Sequence, residues 1–353
     1  MKIIVPMLGI QRNGGNRILF ALINELATGG GDVEILTPGK VGSAGFPLHE
    51  NVRISPLRFC FGPKALRWLL FLALSPWRLS GNKVLANHFL TAVAARLANM
   101  LSGRTNIVYF VQGLEYDCYP QPIAFVAKLL SLFTFRLQNL LPANAFLESE
   151  LRRLGFSPMK ATGIGIDNAF IDTPLPNAAT KSADVIIFVR AGKHKRIDLS
   201  YEVCGLLSQT GLSLIAVSPT KGLIEPIENQ LMEMVVDPTD DMIISSLDKA
   251  RCMILTSQHE GFALPPLEAM ARGLPVVMFP CGGPSVYAEH GHNAIFAQAG
   301  RADEIAKAVS LLLNDPERYS ILSANARETA MEYGLTAAAK EAALVVLKRF
   351  TAK

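Results

Sequence analysis

Two glutamates, Glu260 and Glu268, stand eight positions apart around a glycine and a double proline, in His259-Glu260-Gly261-Phe262-Ala263-Leu264-Pro265-Pro266-Leu267-Glu268-Ala269-Met270. The apolar runs on either side, 252–256 and 275–279, read as buried strands, so the whole reads strand, turn, short helix, turn, strand. Open α/β sheets bind their ligands at the carboxyl ends of such strands. Glycine at 261 lets the backbone leave the strand sharply and approach a ligand closely. Proline at 265 or 266 suits a first helical turn, where its missing N–H costs nothing. The free N–H groups and positive dipole end of that helix favour an anion. Glu260 then sits on the loop and Glu268 about one turn into the helix, so the two carboxylates can meet one ligand at points about a diphosphate's reach apart.

Spacing alone decides little, because 18 glutamates in 353 residues produce about one such pair by chance. A second pair, Glu225 and Glu233, lies in a polar, helical-looking stretch with no glycine turn and reads as solvated helix surface. For Glu260 and Glu268 the plain alternative is a solvated loop charge and a helix-capping carboxylate; their strand-turn-helix context argues against it.

The segment resembles the Glu-x7-Glu signature of retaining nucleotide-sugar glycosyltransferases of the GT-B fold, glycosyltransferase family 4. Val189-Arg190 followed by Lys195 and Ile197-Asp198-Leu199 resembles that family's Gly-Arg-x4-Lys-Gly-x-Asp-x-Leu segment. Residues 163–170, Gly-Ile-Gly-Ile-Asp-Asn-Ala-Phe, resemble the element that ends its first domain, and Gly282-Gly283 its next glycine loop. The similarity is strong over about 185–335 and looser over 1–170. It implies an α/β chain of two Rossmann-like domains with parallel sheets facing a central cleft. Residues 1–172 would be an acceptor-binding domain, 173–183 a linker, 184–335 a nucleotide-sugar-binding domain, and 336–353 a helix crossing back to the first domain.

The resemblance also implies roles. Glu260 would contact the donor sugar and support retention of anomeric configuration, Glu268 would hold the ribose hydroxyls, and the backbone of Gly261, Phe262, Ala263 and Leu264 the sugar and phosphate. Loss of a nucleoside diphosphate leaves a dianion. Arg190 offers it a rigid fork and Lys195 a flexible point charge, the kind of preorganised charge that lowers such barriers. The expected substrates are a nucleoside diphosphate sugar and a glycan or lipid-linked acceptor, with no cofactor and no metal. Asp237, Asp240 and Asp241 read as solvated residues of a turn-like stretch. Val189, Arg196 and Val286 depart from the family pattern, as does 218–222, which stands where a glycine-rich loop is expected. A catalytically degenerate GT-B module, and more weakly an epimerase, are the rival readings.

At the amino end a strand over 1–8 leads through Gly14 and Gly15 to a helix over about 17–27, ended by Gly29-Gly30-Gly31. A glycine loop there can bring N–H groups to a phosphate or be a plain tight turn. It lacks Gly-x-Gly-x-x-Gly, which disfavours a nicotinamide cofactor. The resemblance implies closure over the donor diphosphate from the opposite side of the cleft. His88 and Gln112 follow apparent strands, and with Glu115 they are acceptor-side candidates. A lone histidine in the setting of His88 is more often a structural residue. Many family members carry histidine where Gln112 falls. Residues 110–120 instead resemble a branch that includes bacterial rhamnosyltransferases, an implication of polysaccharide assembly.

Half the residues are apolar, ample for two buried parallel sheets. Five scattered cysteines without Cys-x-x-Cys argue for reduced, cytoplasmic residues. The opening residues read as a core strand and not a signal peptide. Residues 1–170 carry 17 Lys and Arg against 9 Asp and Glu, and the remainder 17 against 21. The first half should therefore face something anionic. Nucleic acid is disfavoured, since the cations lack interleaved aromatics. Residues 64–78 are greasy with cations and tryptophans, too short to span a bilayer, and read either as interfacial, at the inner face of a membrane, or as a buried helix. The apolar stretch 123–141 has the same two readings, with helical periodicity favouring core packing. The proline-rich 172–180 reads as a hinge whose closure would exclude water.

Overall fold

The structure is a computed structural model that describes residues 1–352 apart from 59, 138, 177–180, 224–231 and 299. Glu225 and residues 177–180 of the expected linker therefore lie outside the described residues.

The chain forms two compact units, Met1–Gly165 with Leu335–Lys353, and Ile166–Gly334. In the first, β1 (Lys2–Pro6), β2 (Asp32–Thr37), β3 (Val52–Pro56), β4 (Lys83–Ala86), β5 (Asn106–Val111) and β6 (Leu140–Pro142) pair in the order β3-β2-β1-β4-β5-β6. In the second, β7 (Ala183–Phe188), β8 (Leu214–Ser218), β9 (Met232–Val236), β10 (Ala250–Leu255), β11 (Val276–Met278) and β12 (Ala294–Phe296) pair as β12-β11-β10-β7-β8-β9. The pairings in both sheets are parallel. Counted from its own first strand, each sheet has the same doubly wound order, with a switch point between its first and fourth strands. Central strands such as Val84-Leu85-Ala86 and Met253-Ile254 are fully buried. That explains their continuous apolar runs, since helices cover both faces of a parallel sheet.

Four expectations need correction. The helix α1 spans Gly14–Thr28, so Gly14 and Gly15 are its first residues and not a loop. The side chain of Asn13 caps it by accepting from Asn16 N at 2.9 Å, which lets the helix begin three residues early. The helix α6 (Asn168–Asp172) belongs to the second unit and not the first. The buried Arg272 donates to the carbonyls of Phe170, Thr173 and Pro174 and pairs with Asp248 at 2.7 Å, which ties that segment down. Glu233 lies on β9, not on a helix, and pairs with Lys249 at 2.9 Å. Asp240 and Asp241 form the first turn of α8 (Asp240–Lys249), where carboxylates suit the dipole and Thr239 caps.

A further difference concerns greasy helices α2 (Lys64–Leu79), α3 (Phe89–Ser102) and α4 (Ile123–Thr134), which pack side by side. The stretch 123–141 is core only in part: Phe135, Leu140 and Leu141 are buried, whereas α4 fully buries only its small residues Ala127, Ser131 and Thr134. Small side chains permit close approach, so the large ones, Phe125, Val126 and Leu129 among them, are left outside. Residues 64–78 do both things, burying Phe71 and Ser75 while exposing Leu66, Leu69 and Trp77. No helix among the described residues is long and apolar enough to cross a membrane. The first unit also holds α5 (Ala145–Arg153) and the second α10 (Ala302–Leu313) and α11 (Pro316–Met331), and α12 (Leu335–Thr351) packs on α1 within the first unit.

Candidate functional site

β7 and β10 are neighbours on either side of the second sheet's switch point, and the chain leaving each carries the charged residues singled out above. After β7 the backbone passes Arg190 and a short turn, Lys193–Lys195, before α7 (Ile197–Gln209). After β10 it passes Glu260 before α9 (Leu264–Ala271). The two segments are stapled together: Gln258 N donates to His194 O at 2.8 Å, and the Thr256 hydroxyl to Lys195 O at 3.3 Å. Lys195 Nζ then lies 2.7 Å from both Glu260 carboxylate oxygens, with Arg190 Nη2 at 3.8 Å. The Glu260 side chain is only 6% exposed. Burial pushes its pKa up, but Lys195, Arg190 and a hydrogen bond from Ser257 outweigh it and hold the group below the usual carboxylate range. A buried carboxylate and two cations at strand ends make a charge cluster able to meet an anion and a sugar hydroxyl together.

The loop after Glu260 is held from three sides. Glu260 N donates to Cys281 O and Gly283 N to Glu260 O, both at 2.8 Å. A Cβ on Gly283 would stand 2.3 Å from the Gly261 carbonyl and 2.4 Å from Phe262 N, so only glycine lets these loops touch. The Tyr287 hydroxyl donates to Ala263 O at 2.7 Å, and its ring meets Phe262 edge-on at 5.2 Å between centroids. Ala263 is thereby kept at φ 63°, a left-handed value costly for a residue with a Cβ. Pro265 and Pro266 both lie in the first turn of α9, so two of its amides have no N–H. That corrects the expectation of a helix end rich in free N–H groups. Glu268 is buried one turn into α9.

Arg196, at the position where the resembled family has glycine, has φ 51° and ψ 57° as the residue before α7. An arginine here holds a left-handed conformation that favours glycine. Sequence reasoning missed Tyr287, whose only signal was a place after Gly282-Gly283. It also missed His194, whose Nδ1 is buried without a hydrogen-bond partner. Burial and the Lys195 charge push the His194 pKa down.

In the first unit Gly14 follows β1, His88 follows β4 and Gln112 follows β5, all at carboxyl ends. A Cβ on Gly15 would come 3.0 Å from Gln112 Oε1, so these two candidates meet. His88 is the cap of α3: Nδ1 accepts from Leu90 N at 3.2 Å, and burial lowers its pKa to about 4. Glu115 Oε2 accepts from Phe89 N at 3.0 Å and the Tyr109 hydroxyl at 3.2 Å. Burial pushes Glu115 up to about 8 against the pull of those donors. Among the described residues no group of three or more His, Cys, Asp or Glu is placed to hold a metal ion.

Residues 175–329 match the family described as glycosyl transferases group 1. The whole chain has the GT-B fold: sucrose-phosphate synthase from Thermosynechococcus elongatus superposes over 100% of both chains with a TM-score of 0.80 at 15% identity. HepE of Anabaena, solved in complex with UDP-glucose, covers 99% of this chain and 100% of its own with a TM-score of 0.74 at 16% identity. An uncharacterized glycosyltransferase of Haemophilus influenzae is 39% identical over 82 residues, 23% of each chain. The N,N'-diacetylbacillosaminyl-diphospho-undecaprenol alpha-1,3-N-acetylgalactosaminyltransferase of Campylobacter jejuni is 25% identical over 157 residues, 43% of this chain and 41% of its own. The chain thus spans less than half the length of these curated relatives.

Proposed function

We propose that the protein transfers a sugar from a nucleoside diphosphate donor to a glycan or lipid-linked acceptor, with retention of configuration and without a metal, in the assembly of a cell-surface polysaccharide or glycolipid at the cytoplasmic face of a membrane. The observation that carries this reading is the contact of Lys195 Nζ with both Glu260 oxygens beside Arg190. Arg190 and Lys195 stabilise the diphosphate as it departs, the role a metal would otherwise fill. Glu260, ionised and oriented by Lys195, accepts from the donor sugar's hydroxyls and supports positive charge developing at its anomeric carbon. Glu268 binds the ribose, and the N–H groups of Gly261–Leu264 meet the sugar and phosphate. The first unit, with Gly14, Gly15, Gln112, His88 and Glu115 near its strand ends, serves the acceptor. The group 1 match over 175–329 and the diphospho-undecaprenol acceptor in the name of the Campylobacter relative support the donor and acceptor classes.

Thermal unfolding with UDP, GDP, dTDP and ADP, each with and without Mg²⁺, tests the donor site. A ligand at about 100 times its dissociation constant adds about 2.7 kcal/mol. A shift of several degrees by one nucleotide without metal is expected, and the matching sugar nucleotide should turn over once acceptor is added. Consumption of donor without acceptor would point to an epimerase, and binding without turnover to a degenerate module.

A further inference from the structure

The outer surface of α2, α3 and α4 is the most one-sided feature of the chain outside the strand-end sites. Residues 51–114 contain eight Lys and Arg and no Asp or Glu. The helix α3 lines up Leu97, Met100 and Leu101 at helical spacing, all exposed, Met100 at 74%. Beside it α4 exposes Val126, Leu129 and Phe133. Where the two helices meet, an open pocket of about 710 Å³ is lined by Arg96, Arg104, Arg136, Asn99, Asn106 and Asn139 together with Met100 and Phe133. Its floor is the start of β5, so it lies at the sheet end opposite Gln112.

The Arg96 guanidinium stacks on the Phe133 ring at 3.9 Å and donates to the Phe133 carbonyl. Among the described residues none of the three arginines has a carboxylate partner, and α2, α3 and α4 contain no acidic residue. The amides beside them are engaged, Asn139 with Ile107 O and Arg349, and Asn106 with Arg349 O, so it is the three arginines without counter-charge that can hold a phosphate. The apolar rim is what distinguishes the phosphate's source, because a soluble anion has no use for exposed Met100, Phe133 and Leu129.

We propose that this surface docks on an anionic lipid bilayer, with the arginine pocket taking a lipid phosphate headgroup and the α3 and α4 side chains entering the acyl boundary. Exposed apolar area and cations act together in such binding. None of these residues belongs to the charge cluster after β7 and β10, so the inference stands whether or not the transfer reading does.

Cosedimentation of the full chain with vesicles of phosphatidylcholine alone, and of phosphatidylcholine with phosphatidylglycerol, tests it. Partition into the anionic vesicles only is expected. Arg104→Ala with Arg136→Ala should lower the partition about 30-fold, each cation near such a surface being worth about 1 kcal/mol and 1.4 kcal/mol a factor of ten. Val126→Ser with Leu129→Ser should lower it about tenfold through lost apolar burial. All four side chains are exposed, so thermal unfolding should be unchanged; if the arginine pair proves unstable, Arg136→Gln alone is read. Equal binding to neutral vesicles, parent-like binding of either double variant, or a thermal shift by inorganic phosphate without vesicle binding would overturn the proposal.

Discussion

Lys195 Nζ lies 2.7 Å from both carboxylate oxygens of Glu260, 65 positions away in the chain. That cation, with Arg190 and Ser257, keeps the only carboxylate on the loop after β10 ionised. Removing either partner has different consequences, because the carboxylate is the more deeply buried of the two.

Lys195→Ala leaves Glu260 with Arg190 alone. Stability should fall by about 2 kcal/mol, below the range for fully buried pairs because Arg190 remains. Donor turnover should fall at least about 100-fold. Urea unfolding and initial rates measure both, and a variant that turns over like the parent removes Lys195 from the site.

Glu260→Gln should lower transfer as sharply and leave the protein folded, at a modest cost in stability at neutral pH where the ion pair with Lys195 is lost. Because the folded-state pKa of Glu260 lies below its ordinary value, its contribution to stability is present above about 4.5 and lost as pH falls. Parent and variant should therefore converge in stability on acidification; parallel pH curves would contradict the assignment.

Glu115 has the opposite sign. Its folded pKa of about 8 stands above the ordinary 4.5, so its contribution is full below the lower value and is lost as pH rises through the higher. Glu115→Gln should flatten a decline in stability between about pH 5 and pH 8. A parent already flat over that interval would show that the carboxyl is ionised in the fold.

Gly283→Ala drives a Cβ against the Gly261 carbonyl and Phe262 N, both backbone. Neither can give without moving the loop, so we expect a loss of about 1–3 kcal/mol and a collapse of nucleotide binding. Unaltered binding in calorimetry would show that the 261–264 backbone is not the donor contact.

Arg196→Gly should be tolerated. Glycine relieves a left-handed conformation that costs an ordinary residue roughly 1–2 kcal/mol, against an exposed pair with Asp198 that contributes little. Equal or higher stability with retained activity is expected, and a marked drop in melting temperature would give the arginine another role.

Alternation of apolar runs with helical patterns was enough for the α/β class and for most strands, because parallel strands buried on both faces carry an unbroken apolar signature. Glu260 stood out in the sequence as a charged residue at a strand end, and Arg190 and Lys195 through the resemblance of their segment to a known family's. Their meeting was not legible, since nothing local says that β7 and β10 are neighbours. Gly283, Tyr287 and His194 were hidden or underread for the same reason: their work is done against residues distant in sequence. Helix α4 shows the limit most plainly. Its composition reads as core, yet packing selected its small residues for the inside. By itself the sequence determined which segments could bury themselves and which side chains could ionise. Only the tertiary structure decided which surfaces were covered, because burial is a property of neighbours, and neighbours are set by sheet order.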